Sequence, residues 1–326
     1  MICCAPGIPG YAAAMRALLI INPESGDHEP TETKVERILA ALSGAPFSVE
    51  VAYTELEKTA ADLTREAVAA GFDVVLAGGG DGTVSEVARE LIHQRAALGV
   101  VPIGTFNNIA RSLEIPADIE PACHILRENH VVSIDVGLAN GTKAFFEAAG
   151  AGLDAALFPL GEEIKGGQWT RWLDFLRTAF HFDAPRFLIT FDRPIGETLP
   201  PGQRRIRSKK LLSRTLHRRA LLLVAANGPY YGSGFTVAPT ASMHDGKLTL
   251  SLYRRFTKWE LLRHFQSIFR GKRQYSAKIE TFSAASIEID STRPVPVHVD
   301  GCPFGETPLT LTTLPQALRV LVKEKK

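Results

Sequence analysis

The sequence predicts two folds in one chain: an α/β domain built on a parallel sheet, then a mostly antiparallel β domain of sandwich type. Three observations predict it. In the first third, short apolar runs alternate with segments of helical periodicity ten or more residues long, the signature of βαβ units. Beyond Ser133 the pattern changes to short β-rich runs broken by Gly, Pro, Asn and Asp. The length, 326 residues, is that of about two average domains.

Residues 17–21 form a fully apolar strand ending at Asn22-Pro23. Residues 33–42 set Val35, Ile38, Leu39 and Leu42 on one stripe, which is helical spacing. Residues 48–53 alternate as a strand, and 59–70 read as a second helix. A buried strand over 73–77 leads through a glycine cluster into a helix over 84–93, and 98–103 is the fourth strand. In the second half, strands are expected at 187–191, 220–225, 247–253, 286–289 and 295–299, with helices at 169–182 and 258–269. The α/β domain is expected over 15–132, with about 312–326 returning to it, and the β domain over 133–311. Residues 1–14 carry no Lys or Arg and no sustained apolar core, so they make a poor signal peptide and read as a flexible N-terminal extension.

Composition removes several classes. Hydrophobic residues make up 45% and charged residues 22%, which excludes wholesale disorder. The longest apolar run, 220–226, has seven residues against the roughly 18 a membrane span needs. Cys3, Cys4, Cys123 and Cys302 show neither metal-ligand nor disulfide spacing, which favours a reducing, cytoplasmic setting.

The sharpest motif is Gly78-Gly79-Gly80-Asp81-Gly82-Thr83, placed between a strand and a helix. Glycines there let main-chain N–H groups approach a phosphate, and the helix N-terminus adds a favourable dipole. No lysine follows as in a P-loop, and Thr83 stands where the third glycine of GxGxxG belongs. Asp81 in a polyphosphate site calls for a divalent cation or a substrate hydroxyl proton to mediate the contact. The plain alternative is a tight βα turn with Thr83 as N-cap, but three successive glycines cost entropy that packing alone seldom needs. A second turn, Gly104-Thr105-Phe106-Asn107-Asn108, follows the fourth strand, and a third, Asn22-Pro23-Glu24-Ser25-Gly26, follows the first. Thr54 joins the same edge. Three such turns at the carboxyl ends of parallel strands face the crevice where these sheets bind ligands.

The set NPxSG, GGGDGT(x)xE and PxGTxNxxAR resembles the diacylglycerol kinase catalytic family, including bacterial lipid kinases and, more distantly, sphingosine and ceramide kinases. FFEAAGAGLD (145–154), ANGPYYGSG (226–234), the stretch from Ala238-Pro239 to Asp245-Gly246, and Asp300-Gly301 resemble its C-terminal signatures. The likeness runs from about Arg16 to the end. It implies a Rossmann-like α/β nucleotide-binding domain, a β-sandwich lipid-acceptor domain, ATP in the cleft between them and Mg2+ as cofactor. The implied reaction moves the γ-phosphoryl group of ATP to a hydroxyl of a diacylglycerol-like or long-chain lipid. By position, the phosphate contacts fall to Asn22, Ser25, Gly26, Thr54, Gly78, Gly79, Gly80, Asp81, Gly82, Thr83, Thr105 and Asn107. The metal falls to Asp245, with Ser242 and Lys247 supplying backbone oxygens; by sequence alone, Asp245-Gly246-Lys247 is an ordinary hairpin turn.

Two positions depart from the family pattern. Where the bacterial lipid kinases carry DGE, with the Glu as proton acceptor, this chain reads Asp300-Gly301-Cys302. A thiol makes a poor general base at neutral pH. The catalytic carboxylate is then Asp81 or Asp300, or Glu306 swinging in from the same loop, or the chain binds nucleotide without transfer. Asn108 stands where many relatives have Asp, which removes a charge and puts metal stoichiometry in question. NAD kinase, which shares the GGDGT turn, is the rival enzyme.

Lys plus Arg number 37 against 35 Asp plus Glu, yet the charge is uneven. Arg204, Arg205, Arg207, Lys209, Lys210, Arg214, Arg218 and Arg219 form one basic group, and Arg254, Arg255, Lys258, Arg263, Arg270, Lys272 and Arg273 another. Such groups suit peripheral contact with an anionic inner membrane surface, where the lipid substrate resides. No nucleic-acid motif accompanies them. A homodimer is left open. Trp169, Trp172, Phe175, Phe180 and Phe182 either line a lipid pocket or pack a core helix, with packing preferred.

Overall fold

The computed structural model describes residues 15–26, 29–165, 170–195, 213–232, 234–254, 256–257, 259–260, 263 and 278–324. Several expectations lie outside these residues: the extension over 1–14, Trp169, the basic positions 204–210, Arg255, Lys258, Arg270, Lys272 and Arg273, and most of the helix expected at 258–269. No helix among the described residues is long and apolar enough to cross a membrane. The chain divides into two compact units.

The first unit holds the described residues up to 105, then 114–132 and those from 318 onward. Its elements are β1 (Met15–Ile21), α1 (Thr31–Ala41), β2 (Phe47–Tyr53), α2 (Ala60–Ala69), β3 (Val74–Gly79), α3 (Asp81–Glu90) and β4 (Ala97–Pro102). The strands run parallel in the order β2-β1-β3-β4. Every residue of β3 and β4 is buried, as central strands covered on both faces require. Ile38 of α1, Leu63 of α2 and Val87 of α3 are buried too, each worth about 1.5–3 kcal/mol of transfer. Thr59 caps α2 through a reciprocal capping box with Asp62.

Helix α3 begins at Asp81, three residues before the expected start, with Gly80 as its N-cap. Thr83 is therefore a first-turn residue and not the cap. After α4 (Asn108–Ser112) comes α5 (Ile119–Glu128), a helix absent from the expectations above, with Pro121 inside it. Proline is tolerated there because it falls in the first turn.

The second unit comprises residues 106–113 and 133–317. Residues 106–113 were expected with the first domain, and the second was expected to stop at 311. The strands are β5 (Val131–Ala139), β6 (Lys143–Phe145), β7 (Ala148–Gly152), β8 (Arg186–Ile195), β9 (Ser213–Arg219), β10 (Leu222–Ala226), β11 (Tyr230–Tyr231), β12 (Phe235–Thr236), β13 (Leu248–Tyr253), β14 (Ile279–Ala284), β15 (Ser286–Ser291), β16 (Pro296–Val299), β17 (Cys302–Glu306) and β18 (Leu309–Leu321). One antiparallel sheet runs β14-β13-β10-β7-β16-β17; in the other, β18 pairs β15, then β8 and β9. Phe187, Ile189 and Ile287 from one sheet share a buried cluster with Leu223, Leu250 and Val297 from the other, so the core of the sandwich lies between them. The last residues of β18 belong to the first unit, where Val320 pairs in parallel with Leu98.

Two helices complete the second unit: α6 (Leu153–Lys165), which contains Pro159, and α7 (Arg171–His181). The aromatic stretch is not a core helix, for no residue of α7 is buried. Of the five aromatics, Phe182 packs partly against the sandwich core, just after α7.

Candidate functional site

In the first unit, the segments that leave the carboxyl ends of β1, β3 and β4 are tied together. The Asn22 N–H donates to the Gly78 carbonyl (3.1 Å), and its Nδ2 donates to Thr83 Oγ1 (3.2 Å). The Ile103 N–H donates to the Gly79 carbonyl, which ties the third turn to the second. Thr54 joins through its N–H to the Ile21 carbonyl (2.9 Å). Ser25 offers its carbonyl to Nζ of Lys34, a nearly buried lysine on α1 (3.2 Å). Thr105 is exposed at the end of this edge.

The glycines are explained by contact. A Cβ on Gly79 would stand 2.5 Å from Thr83 Cβ, and one on Gly26, whose φ is +96°, would stand 2.2 Å from the Ile103 carbonyl oxygen. A Cβ on Gly82 would meet open space, so packing does not require that glycine. Gly80 makes no side-chain cap, so the first main-chain N–H groups of α3 are not met by a capping side chain. An α-helix start of this kind favours an anion, and the Asp81 carboxylate already occupies its first turn.

The second unit holds the remaining predicted residues. Asp300 (φ +46°) and Gly301 (φ +77°) make the two-residue turn between β16 and β17, where two left-handed positions match a type I′ hairpin. The Asp300 carboxylate accepts N–H bonds from Phe146 (3.0 Å), Glu147 (3.0 Å) and Ala148 (3.1 Å). It clamps the chain between β6 and β7, and a proton taken up on either oxygen would compete with the N–H groups that oxygen accepts. Glu306 is not in the Asp300 loop; it lies at the far end of β17, opposite Pro296, roughly 13 Å along the strand. Cys302 is exposed.

Asp245 Oδ1 accepts the Lys247 N–H (3.1 Å), and Ser242 Oγ accepts the His244 N–H (3.3 Å). Burial pushes the Asp245 carboxyl above its ordinary value, against the Lys247 N–H, which lowers it; nearby Asp135 adds to the rise. A partly buried carboxylate in a tight turn is the type of donor that a hard cation takes. No group of three or more His, Cys, Asp or Glu that could hold a metal occurs among the described residues.

Asp135, Ser112 and His298 were missed by sequence reasoning, as were the contacts made by Asn108. Asp135, 1% exposed, accepts the N–H groups of Gly246 (2.6 Å) and Gln316 (2.9 Å), and so fixes the Asp245 turn. The available signal was a lone acid in the apolar run 131–139. Asn108 Nδ2 donates to Glu147 Oε2 (2.9 Å) and to the Gly232 carbonyl (2.6 Å), while the Gly232 N–H donates to Glu147 Oε2 (3.2 Å). A Cβ on Gly228 would stand 2.7 Å from Ser112 Oγ, so glycine lets the ANGPYYGSG segment close on α4, on which predicted Asn107 is the N-cap. Buried His298 lies 2.9 Å from the Tyr231 hydroxyl and 3.1 Å from Asp154 Oδ2. The Tyr231 phenol is pushed far up, first by burial and then by the charges of Asp154, Glu147 and Asp300.

An α/β unit with glycine turns at its strand ends, joined in one chain to an antiparallel sandwich, is the class these features define. Residues 16–139 match the diacylglycerol kinase catalytic domain, and residues 200–322 match the YegS C-terminal NAD kinase beta sandwich-like domain. The chain thus carries a diacylglycerol kinase catalytic domain followed by a YegS-type C-terminal domain. It is 27% identical over 312 residues to the diacylglycerol kinase of Staphylococcus saprophyticus subsp. saprophyticus, spanning 94% of both chains. It is 29% identical over 310 residues to the "Probable lipid kinase YegS" of Salmonella typhimurium, spanning 93% of this chain and 94% of that one. The crystal structure of a diacylglycerol kinase from Bacillus anthracis str. Sterne shares the fold, with a TM-score of 0.68 at 22% identity over 94% of this chain and 97% of the other.

Proposed function

We propose that the chain is an ATP- and Mg2+-dependent lipid kinase that phosphorylates a hydroxyl of a diacylglycerol-like or long-chain lipid. The observation that carries this reading is the meeting of Asn22, Gly78 to Thr83 and Ile103 at one sheet edge, beside a helix start without a side-chain cap. Its main-chain N–H groups, with Ser25, Gly26, Thr54, Thr105 and Asn107, are assigned to the triphosphate. In the transfer, the lipid hydroxyl oxygen bonds to the γ-phosphorus, the bond from phosphorus to the bridging oxygen breaks, and ADP leaves with the electron pair. The hydroxyl proton goes to the Asp81 carboxylate. Asp300 is assigned to positioning, because its oxygens already hold three amides. Asp245, with main-chain oxygens of Ser242 and Lys247, is assigned to Mg2+, which offsets negative charge when bound.

Radiolabelled ATP offered with a panel of lipids, and separately with NAD, tests the reading. Label is expected in a lipid, falling by about 10²–10⁴ in Asp81→Asn and rising in Cys302→Glu. Label entering NAD alone, or nucleotide binding without transfer to any acceptor, would overturn it.

A further inference from the structure

We propose that α7 and Trp259, with the basic pocket beside the end of that helix, form a docking surface for an anionic lipid bilayer. Along α7 the apolar side chains Trp172, Leu173, Leu176 and Phe180 recur at helical spacing on one face, and all four are exposed, Leu173 to 76%. Trp259, 64% exposed, extends the patch from a separate segment, its ring 5.7 Å from that of Phe180. Isolated exposed apolar residues are ordinary; a contiguous stripe of five, three of them aromatic, marks an interaction surface. Trp and Phe on one helix face, with cations at the border, is the composition of a helix lying in a membrane interface.

Charge selects the occupant. A cavity of about 350 Å³ adjoins the helix and is lined by Arg177, His181 and Arg293, with Asp183 and Phe182 beside them. Arg177 projects from α7 itself, and Arg293 donates to the Asp183 carbonyl (2.6 Å). Two guanidinium groups in one pocket match the phosphate of a phospholipid headgroup. An apolar stripe bordered by such a pocket fits a bilayer that carries negative charge better than a second copy of the chain. The inference rests on the lipid-kinase reading for placing a membrane within reach, but its own observations lie wholly in the second unit.

The test is co-sedimentation of the full chain, without nucleotide, with vesicles of phosphatidylcholine alone and with about one third phosphatidylglycerol. The wild type is expected on the anionic vesicles, with a blue shift of tryptophan emission. Leu173→Glu with Leu176→Glu should cut partitioning at least about tenfold, and Trp259→Ser, outside the helix, should cut it independently. Arg177→Glu should weaken binding to the anionic vesicles more than to the neutral ones. Unchanged circular dichroism is expected for these exposed sites. Equal partitioning of wild type and both apolar variants overturns the proposal, as does self-association by sedimentation velocity that the double variant abolishes. Transfer to a short-chain diacylglycerol in detergent reads the kinase assignment separately. Transfer with vesicle binding indifferent to α7 sinks the surface alone, and α7-dependent binding without transfer to any acceptor sinks the kinase alone.

Discussion

Replacing Asp300 separates a structural carboxylate from a catalytic one. In Asp300→Asn the retained Oδ1 still accepts from Glu147 and Ala148, but an NH2 group now faces the Phe146 N–H, donor against donor. Asparagine tolerates the left-handed φ of +46°, so the backbone adds little cost. One charge-assisted bond is worth about 1.5–3 kcal/mol, and each kcal/mol moves the melting midpoint of a unit this size by about 2–4 °C. The expected fall is about 5 °C. Asp300→Ala forfeits all three bonds and places alanine at positive φ, so a fall beyond about 10 °C is expected. Calorimetry gives the midpoint, and phosphoryl transfer measured well below the transition gives the catalytic effect. The positioning role predicts a less stable Asp300→Asn protein that still transfers in the cold. A variant that melts with the wild type yet loses transfer by about 10²–10⁴ would make Asp300 the proton acceptor and refute the reasoning.

Gly79→Ala drives a methyl group to 2.5 Å from Thr83 Cβ and must displace the start of α3; calorimetric titration should show weaker Mg-ADP binding, while Gly82→Ala, facing open space, costs much less. Mg2+ should raise the melting midpoint of the wild type and not of Asp245→Asn. In chelator at neutral pH that variant should be at least as stable as the wild type, because burial raises the Asp245 carboxyl and makes its ionised form the costly one. The Asp62 carboxyl is lowered, first by the Thr59 hydroxyl and then by the Thr59 N–H, so its contribution is present at neutral pH and lost as pH falls through its folded value. Thr59→Ala should therefore lower the midpoint at pH 7, with the gap closing in acid. Asn108→Asp should destabilise the second unit by at least about 2 kcal/mol, and adding Glu147→Gln should recover part of that loss in a double-mutant cycle.

The α/β half was legible because its signals are local. Apolar runs buried on both faces gave β1, β3 and β4, and the glycine turns announced where the strands end. The start of α3 was not legible, since an N-cap is set by backbone dihedrals, and Gly80 lacks the side chain that would advertise one. The sandwich was legible as a class but not in detail. A short strand such as β7 acquires its definition from cross-strand partners distant in sequence. Pro159 inside α6 reads as a breaker by propensity, which tertiary packing overrode. At the candidate site, residue identities were legible and their duties were not. Nothing in Asp300-Gly301-Cys302 as a string reveals that the aspartate spends its oxygens on Phe146, Glu147 and Ala148, which lie over 150 positions away.

The departure at Asn108 follows from a contact that spacing cannot reveal. Its amide donates at once to the Glu147 carboxylate and the Gly232 carbonyl, two acceptors that converge on one nitrogen. A carboxylate at 108 would set a third acceptor against them in a buried place, with no proton to share unless one acid stayed neutral. Glu147 thus makes an amide at 108 the fitting choice. The negative charge that position 108 lacks stands instead at Glu147, 2.9 Å away on the loop that Asp300 clamps. The Asn108 and Asp300 contacts therefore converge on that loop, and substitution at either position has to be judged by how well the loop keeps its place.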